Sequence, residues 1–140
     1  FGGSVSANPV KEIGWGEVRI AENEVARGWF GELQAFVSFH WHGETFSVPP
    51  GATRIASSNH CANQAFGLGR HLGMQMHIEM TRELVHAWCR GGAGEIAAAA
   101  ASPGVQSADA IEADLDERVA SLHKVADRVY DRWIDGLARS

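Results

Sequence analysis

The strongest constraint on the fold of this chain is a change of period at Thr81. Before it, apolar residues come in short runs with strand-like alternation. After it, they recur at spacings of three, four or seven. Residues 12–20, EIGWGEVRI, set Val18 and Ile20 against Glu17 and Arg19, as a half-buried strand does. Residues 33–41, LQAFVSFHW, are rich in aromatic and β-branched types and predict a second strand. SVPPG at 47–51 predicts a turn, because Pro50 keeps Pro49 out of helical geometry. TRIASS (53–58), QAFGLG (64–69) and LGMQMH (72–77) predict three further short strands, spaced closely enough to pair largely antiparallel.

At residues 81–88, TRELVHAW, Thr81 suits an N-cap and Glu83 the first helical turn, and Gly91 and Gly92 end the helix. The alanine run at 97–101 predicts a short helix stopped near Pro103. The last segment predicts a long amphipathic helix, straight or kinked. Its stripe of Ile111, Leu115, Leu122, Val129, Trp133 and Leu137 must cover something. No internal repeat is visible. Strands followed by helices imply an α+β fold or one part of an α/β domain.

The 140 residues are one domain's worth, and an apolar content of 45% suffices for a core. A net charge of −5 with no polybasic run argues against nucleic acid or anionic membrane as partner. No run of about eighteen apolar residues could span a bilayer. Two cysteines, seven histidines and no paired CxxC suggest a reducing compartment, hence a cytoplasmic protein without a disulfide framework. FGGSVSANPV lacks both an initiator Met and a signal-peptide pattern. It reads as the start of a segment of something longer, or of a processed product.

Chemistry concentrates in GMQMHIEMT, residues 73–81. In an extended chain Leu72, Met74 and Met76 turn toward an apolar layer. Gly73, Gln75 and His77 face the other way, and Glu79 stays with His77. A carboxylate there can accept the imidazole Nδ1–H and leave Nε2 free as a base. The histidines also raise a metal reading. His40 and His42 share a strand face, and His60, His71 and His77 could converge with Glu79 on a zinc-like N/O site. The plainer account is packing plus surface residues. The five tryptophans (Trp15, Trp29, Trp41, Trp88, Trp133) read as core and rim. Cys61 in SNHCANQ has no glycine beside it to permit a strained elbow, and Cys89 ends a helix, where the dipole disfavours a thiolate. Both read as structural.

Four stretches in order, NPVKEIGW, FHWHGETFSVPPGA, ASSNHCANQAF and GMQMHIEMT, resemble the C-terminal half of class I (triad-type) glutamine amidotransferases. The likeness is to the stand-alone type similar to the amidotransferase domain of GMP synthase. It runs from about residue 2 to 81, with a looser match at ASPGVQSADAI. It implies an α/β fold: part of a flavodoxin-like three-layer domain with a parallel central sheet. To that domain this chain would contribute later strands, an antiparallel strand group and C-terminal helices. The implied activity is hydrolysis of the glutamine side-chain amide by a Cys-His-Glu triad. A thiolate attacks the carboxamide carbon, a histidine protonates the departing ammonia, and water cleaves the thioester.

By position, the resemblance makes His77 the acid/base and Glu79 its orienting carboxylate. Trp41, His42, Gly43 and Glu44 fall where backbone groups hold the α-amino and α-carboxylate ends of glutamine. Ile78 replaces the usual proline, and Glu44 the commoner aspartate. The G-x-C-x-G elbow that carries the nucleophile and oxyanion-hole amides does not occur in these residues. The expectation is therefore a chain that begins just downstream of that cysteine and is inactive alone. Its partners would be L-glutamine, the N-terminal part of the same domain, and an ammonia-accepting synthetase domain or protein, with no cofactor. Two other readings are a non-catalytic module that keeps the fold for association, including homodimers, and a histidine-cluster metal protein. No G-x-x-x-x-G-K-[ST] loop is present to suggest nucleotide binding.

Overall fold

The alternation read at residues 12–20 belongs to a longer strand in the computed structural model, which describes residues 1–138. This strand, β1, is Val5–Ile20. It pairs antiparallel with β2, Ala35–Phe46, along most of its length. Between them lies a helix that the sequence reading missed, α1 (Glu24–Phe30). Asn23 caps α1 by accepting from the Ala26 amide, and Gly31 ends it at φ 64°. Its Ala26, Trp29 and Phe30 are buried.

The remaining strands are β3 (Thr53–Ser58), β4 (Ala65–Leu68), β5 (His71–Met74) and the short β6 (Gly104–Val105). The sheet order is β2-β1-β3-β4-β5, with every neighbour antiparallel as expected. β6 adds a parallel pairing to β1 at Glu12 and Ile13. β5 stops three residues earlier than predicted. The chain then leaves the β4 ladder and reaches the outer edge of β2, where the His77 amide donates to the Phe39 carbonyl at 2.8 Å. The sheet thus curls until its last segment meets its first edge.

Four helices follow β5: α2 (Arg82–Gly91), α3 (Ala93–Ala98), α4 (Ala108–Glu112) and α5 (Leu115–Ala138). Thr81 caps α2 by accepting from the Leu84 amide, and Gly92 ends it, as expected. The alanine-run helix is displaced. α3 forms around Ile96, the residue there with a core to enter, and residues 99–103 are turns. The final amphipathic stretch is broken rather than continuous, because Asp114 adopts φ 52° between α4 and α5. Ile111, Leu115, Leu122 and Val129 are buried as predicted, whereas Trp133 and Leu137 are about half exposed.

The fold is mixed α/β: an antiparallel curled sheet closed by C-terminal helices, with the core between them. Trp15 and Phe39, an edge-on pair with centroids 5.1 Å apart, occupy its centre. Trp15 Nε1 donates to the Ile111 carbonyl at 2.9 Å and so ties the sheet to α4. No helix among the described residues is long and apolar enough to cross a membrane.

Candidate active site

Burial alternates beyond β5. Met76, Ile78 and Met80 are each at most 2% exposed and anchor the segment in the core. His77 and Glu79, on the odd positions, face outward. Ile78, at the position where the resemblance has proline, therefore holds this turn by burial. Three further contacts fix His77. Its amide is bonded to Phe39, its carbonyl accepts from Ser38 Oγ at 3.2 Å, and its ring meets Trp88 of α2 edge-on at 4.9 Å.

His77 Nδ1 lies 2.7 Å from Glu79 Oε1. Since the partner is a carboxylate, Nδ1 carries the proton and Nε2 presents its lone pair. The described residues give Nε2 no hydrogen-bond partner, and the side chain is 27% exposed. A base whose tautomer is set by a carboxylate, with its reactive nitrogen open to the surface, is suited to accept and return one proton.

Beside it stands an aromatic wall. Trp41 meets Trp88 edge-on with centroids 5.8 Å apart, and Trp41 Nε1 donates to Glu95 Oε2 at 2.8 Å. Lys11 Nζ donates to the other oxygen at 2.6 Å. Those two bonds, Lys11 first and then Trp41, hold the Glu95 carboxyl below its ordinary range. The depression lined by Trp41, Trp88, Gly92 and Glu95 has a volume of about 380 Å³.

The four residues expected at the substrate do not share one face. Trp41 joins Trp88 beside His77. The His42 side chain turns to the other side of β2, where its Nε2 lies 3.0 Å from Glu12 Oε2 and its Nδ1 donates to the Glu44 carbonyl at 2.9 Å. Gly43 has no cross-strand partner, because the β1–β2 register breaks between Ala7 and Glu12. Glu44 is exposed and pairs with Ala7. What Trp41–Glu44 can offer a ligand together is backbone at an interrupted ladder.

Glu12, which the sequence reading used only as a strand residue, is 5% exposed at the centre of a polar cluster behind β2. Its Oε2 accepts from Ser58 Oγ and from Gln64 Nε2, each at 2.9 Å. Burial opposes its charge, but His42, His40 and Ser58 outweigh burial and hold its carboxyl below the usual carboxylate range. His40, 1% exposed, is pushed below the usual imidazole range by burial, against the pull of Glu12. Cross-strand register brings Glu12 opposite His42, and no pattern within either strand reports that pairing.

The other histidines do not gather. His71 packs at a tilt against Phe1, far from His77 in the fold, and His60 lines, with Gly104, a cavity that reaches Glu12 and His40 rather than His77. Among the described residues, the histidine–carboxylate group with metal-ligand spacing is Glu12, His40 and His42.

Both thiols are buried. Cys61 Sγ is held by Gln75 Nε2 at 2.9 Å and Thr45 Oγ1 at 3.2 Å. The Cys89 thiol is pushed up by burial and then by Glu112, away from thiolate chemistry. Among the described residues, Glu79 and Trp88, not a thiol, are the groups set against the His77 ring.

No protein-family model and no curated protein matches the chain. Among solved structures, a glutamine amidotransferase from Methylobacillus flagellatus is 44% identical, with a TM-score of 0.92 over 96% of this chain and 56% of its own length. A glutamine amidotransferase from Thermotoga maritima is 24% identical, with a TM-score of 0.81 over 95% of this chain and 55% of its own. The chain therefore resembles glutamine amidotransferases in fold along nearly its whole length, and it spans a little over half the length of the structures it matches.

Proposed function

We propose that this chain, with its likeness to glutamine amidotransferases, supplies the acid–base side of a glutamine-hydrolysing site. The observation that carries the reading is the 2.7 Å His77–Glu79 pair with Nε2 unengaged. His77 takes the proton of a cysteine nucleophile and returns it to the departing ammonia, while Glu79 stabilises the imidazolium between those steps. Backbone at Trp41–Glu44 holds the α-amino and α-carboxylate ends of glutamine, with Trp41 and Trp88 walling the site. Neither Cys61 nor Cys89 is the nucleophile. The nucleophile and its oxyanion hole come from outside these 140 residues, which span a little over half the length of the matched structures. The 140 residues alone are inactive, and the ammonia goes to an acceptor on another domain or protein.

The test joins a cysteine-bearing strand–elbow–helix segment ahead of residue 1 and measures ammonia release from L-glutamine. The expected result is hydrolysis that His77→Ala abolishes. Full-rate hydrolysis without His77 would overturn the triad assignment.

A second reading, association through α5, is favoured by Tyr130, Trp133 and Ile134, which are between 41% and 56% exposed on its C-terminal turns. Dimers by light scattering that Trp133→Glu dissociates are the expected result. A monomer at all concentrations refutes it.

A further inference from the structure

The polar cluster behind β2 is not used by the proposed chemistry, and its hydrogen bonding is incomplete. Two of its buried side-chain atoms have no partner, His40 Nδ1 and Gln64 Oε1. Buried polar atoms in native proteins are almost always satisfied, so each such exception calls for an explanation, an ordered water or an ion among them.

The tautomers can be read from the acceptors. His40 Nε2 lies 3.2 Å from the Gly16 carbonyl, and a carbonyl only accepts, so Nε2 carries the proton. The unpartnered His40 Nδ1 is then a bare lone pair. His42 Nδ1 lies 2.9 Å from the Glu44 carbonyl and must likewise carry a proton. In neutral His42 the lone pair of Nε2 therefore faces the Glu12 carboxylate at 3.0 Å, with the Gln64 amide nitrogen 3.3 Å away as a long, weak donor. Glu12, His40 and His42 thus bring two imidazole lone pairs and a carboxylate, all electron donors, close together, and the Gln64 amide donates to the same carboxylate at 2.9 Å. Each imidazole is oriented by a backbone carbonyl on its far nitrogen, the outer-shell arrangement that typifies metal-ligating histidines.

We propose that Glu12, His40 and His42 bind one divalent transition-metal ion of the zinc type. Their ligand atoms lie within 4.8 Å of one another. The 3.0 Å between His42 Nε2 and Glu12 Oε2 is close to the separation of two ligands each about 2.0–2.1 Å from one ion. Two imidazoles and a carboxylate are a borderline N/O set that suits Zn²⁺ or Co²⁺ and disfavours Mg²⁺ and Ca²⁺. A cavity of about 180 Å³, lined by Glu12, His40, His60 and Gln106, leads to the cluster. It has room for the ion and a water as fourth ligand. The rival partners of His42 Nε2 are a proton shared with Glu12 and the Gln64 amide, and both leave His40 Nδ1 unsatisfied. A cation serves His40 Nδ1, His42 Nε2 and the Glu12 carboxylate together. The site joins β1 to β2 directly behind Trp41, so the ion would brace the strand that carries the proposed substrate contacts.

The test uses tag-free intact protein stripped with chelator, then titrated with Zn²⁺ and separately with Co²⁺. The expected result is uptake of a single ion per chain, a raised unfolding temperature, and visible Co²⁺ bands of tetrahedral intensity. His40→Gln and His42→Gln should each weaken uptake by about tenfold or more. Far-UV circular dichroism checks that each variant is folded. If a variant fails to fold, ¹⁵N shifts of the wild-type imidazoles decide the matter. Zn²⁺ should move the His40 Nδ1 and His42 Nε2 resonances and leave His60 and His71 in place. Absence of uptake, uptake unchanged in both variants, or a His42 doubly protonated with and without Zn²⁺ would overturn the proposal.

Discussion

Gly92 closes the aromatic wall beside His77, and replacing it with alanine isolates that packing. Its φ of −96° and ψ of 12° are open to any residue, so the backbone does not require glycine. Side-chain space does. A Cβ there would overlap Trp41, lying 2.7 Å from Cη2 and closer to Cζ2, with the Trp88 carbonyl oxygen at 3.0 Å. Two effects compete. Alanine lowers the entropy of the unfolded chain, stabilising by about 0.4–1 kcal/mol. Overpacking costs about 1–3 kcal/mol. Overlap wins, and Gly92→Ala should destabilise by about 1–2 kcal/mol, read as a lower urea midpoint at unchanged slope.

Trp41→Phe removes the benzo atoms that clash, so in that background Gly92→Ala should be close to neutral. The double-mutant cycle then gives a coupling of about 1–2 kcal/mol. Circular dichroism is the appropriate probe, because tryptophan fluorescence changes with the mutation itself. Equal costs of Gly92→Ala in both backgrounds would show that Trp41 is not what demands glycine.

In protein carrying the nucleophile, Glu79→Gln should lower kcat by about 10²–10⁴. The urea midpoint should change by no more than about 0.5 kcal/mol equivalent, since both side chains of the pair are partly exposed. Unchanged kcat would remove Glu79 from the mechanism. Neither thiol should react with Ellman's reagent at neutral pH until the protein unfolds, because both are buried; prompt native labelling of Cys61 or Cys89 would reopen it as a nucleophile. For Glu95, the folded carboxyl lies below its ordinary value of 4.5 through Lys11 and Trp41. Its stabilising contribution is therefore fully present above that pH and is lost as pH falls through the folded value. The stability gap between wild type and Glu95→Gln should close in acid. Because the pair is largely exposed, it should not exceed about 0.5 kcal/mol at neutral pH.

Local signals were legible where neighbours in sequence decide the structure. β3 spans the predicted residues 53–58, and Thr81 caps the helix it was expected to cap. The misses follow from contacts that no local pattern carries. α1 is seven residues long, too short to display a period, although Asn23 and Gly31 bracket it as caps should. The alanine run has high helix propensity but nothing to bury, so helix forms one turn earlier, around Ile96. β5 ends at Met74 because the following residues satisfy the free edge of β2 instead of β4. At the site, His77 and Glu79 could be paired from their spacing because they lie two residues apart. Glu12 could not be paired with His42, because thirty residues and a cross-strand register separate them.

The same alternation that makes β2 a strand divides HWHGE between two environments. Phe39 and Trp41 face Trp88 and the His77 pair, while His40 and His42 face Glu12, Ser58 and Gln64. A contiguous motif in a strand cannot present four side chains to one ligand. What it can present together is main chain, and the register break between Ala7 and Glu12 leaves Gly43 outside the β1 ladder at that point. The motif then does two jobs at once. Its backbone and Trp41 form one side of the proposed glutamine site, and its histidines anchor the strand from behind. Conservative replacement of His42 should therefore act through the position of β2: it should raise KM for glutamine through the displaced backbone of residues 43–44, and leave the His77–Glu79 pair and its pH profile unchanged. A loss of kcat with unaltered KM would place His42 in the chemistry and refute this division of the strand.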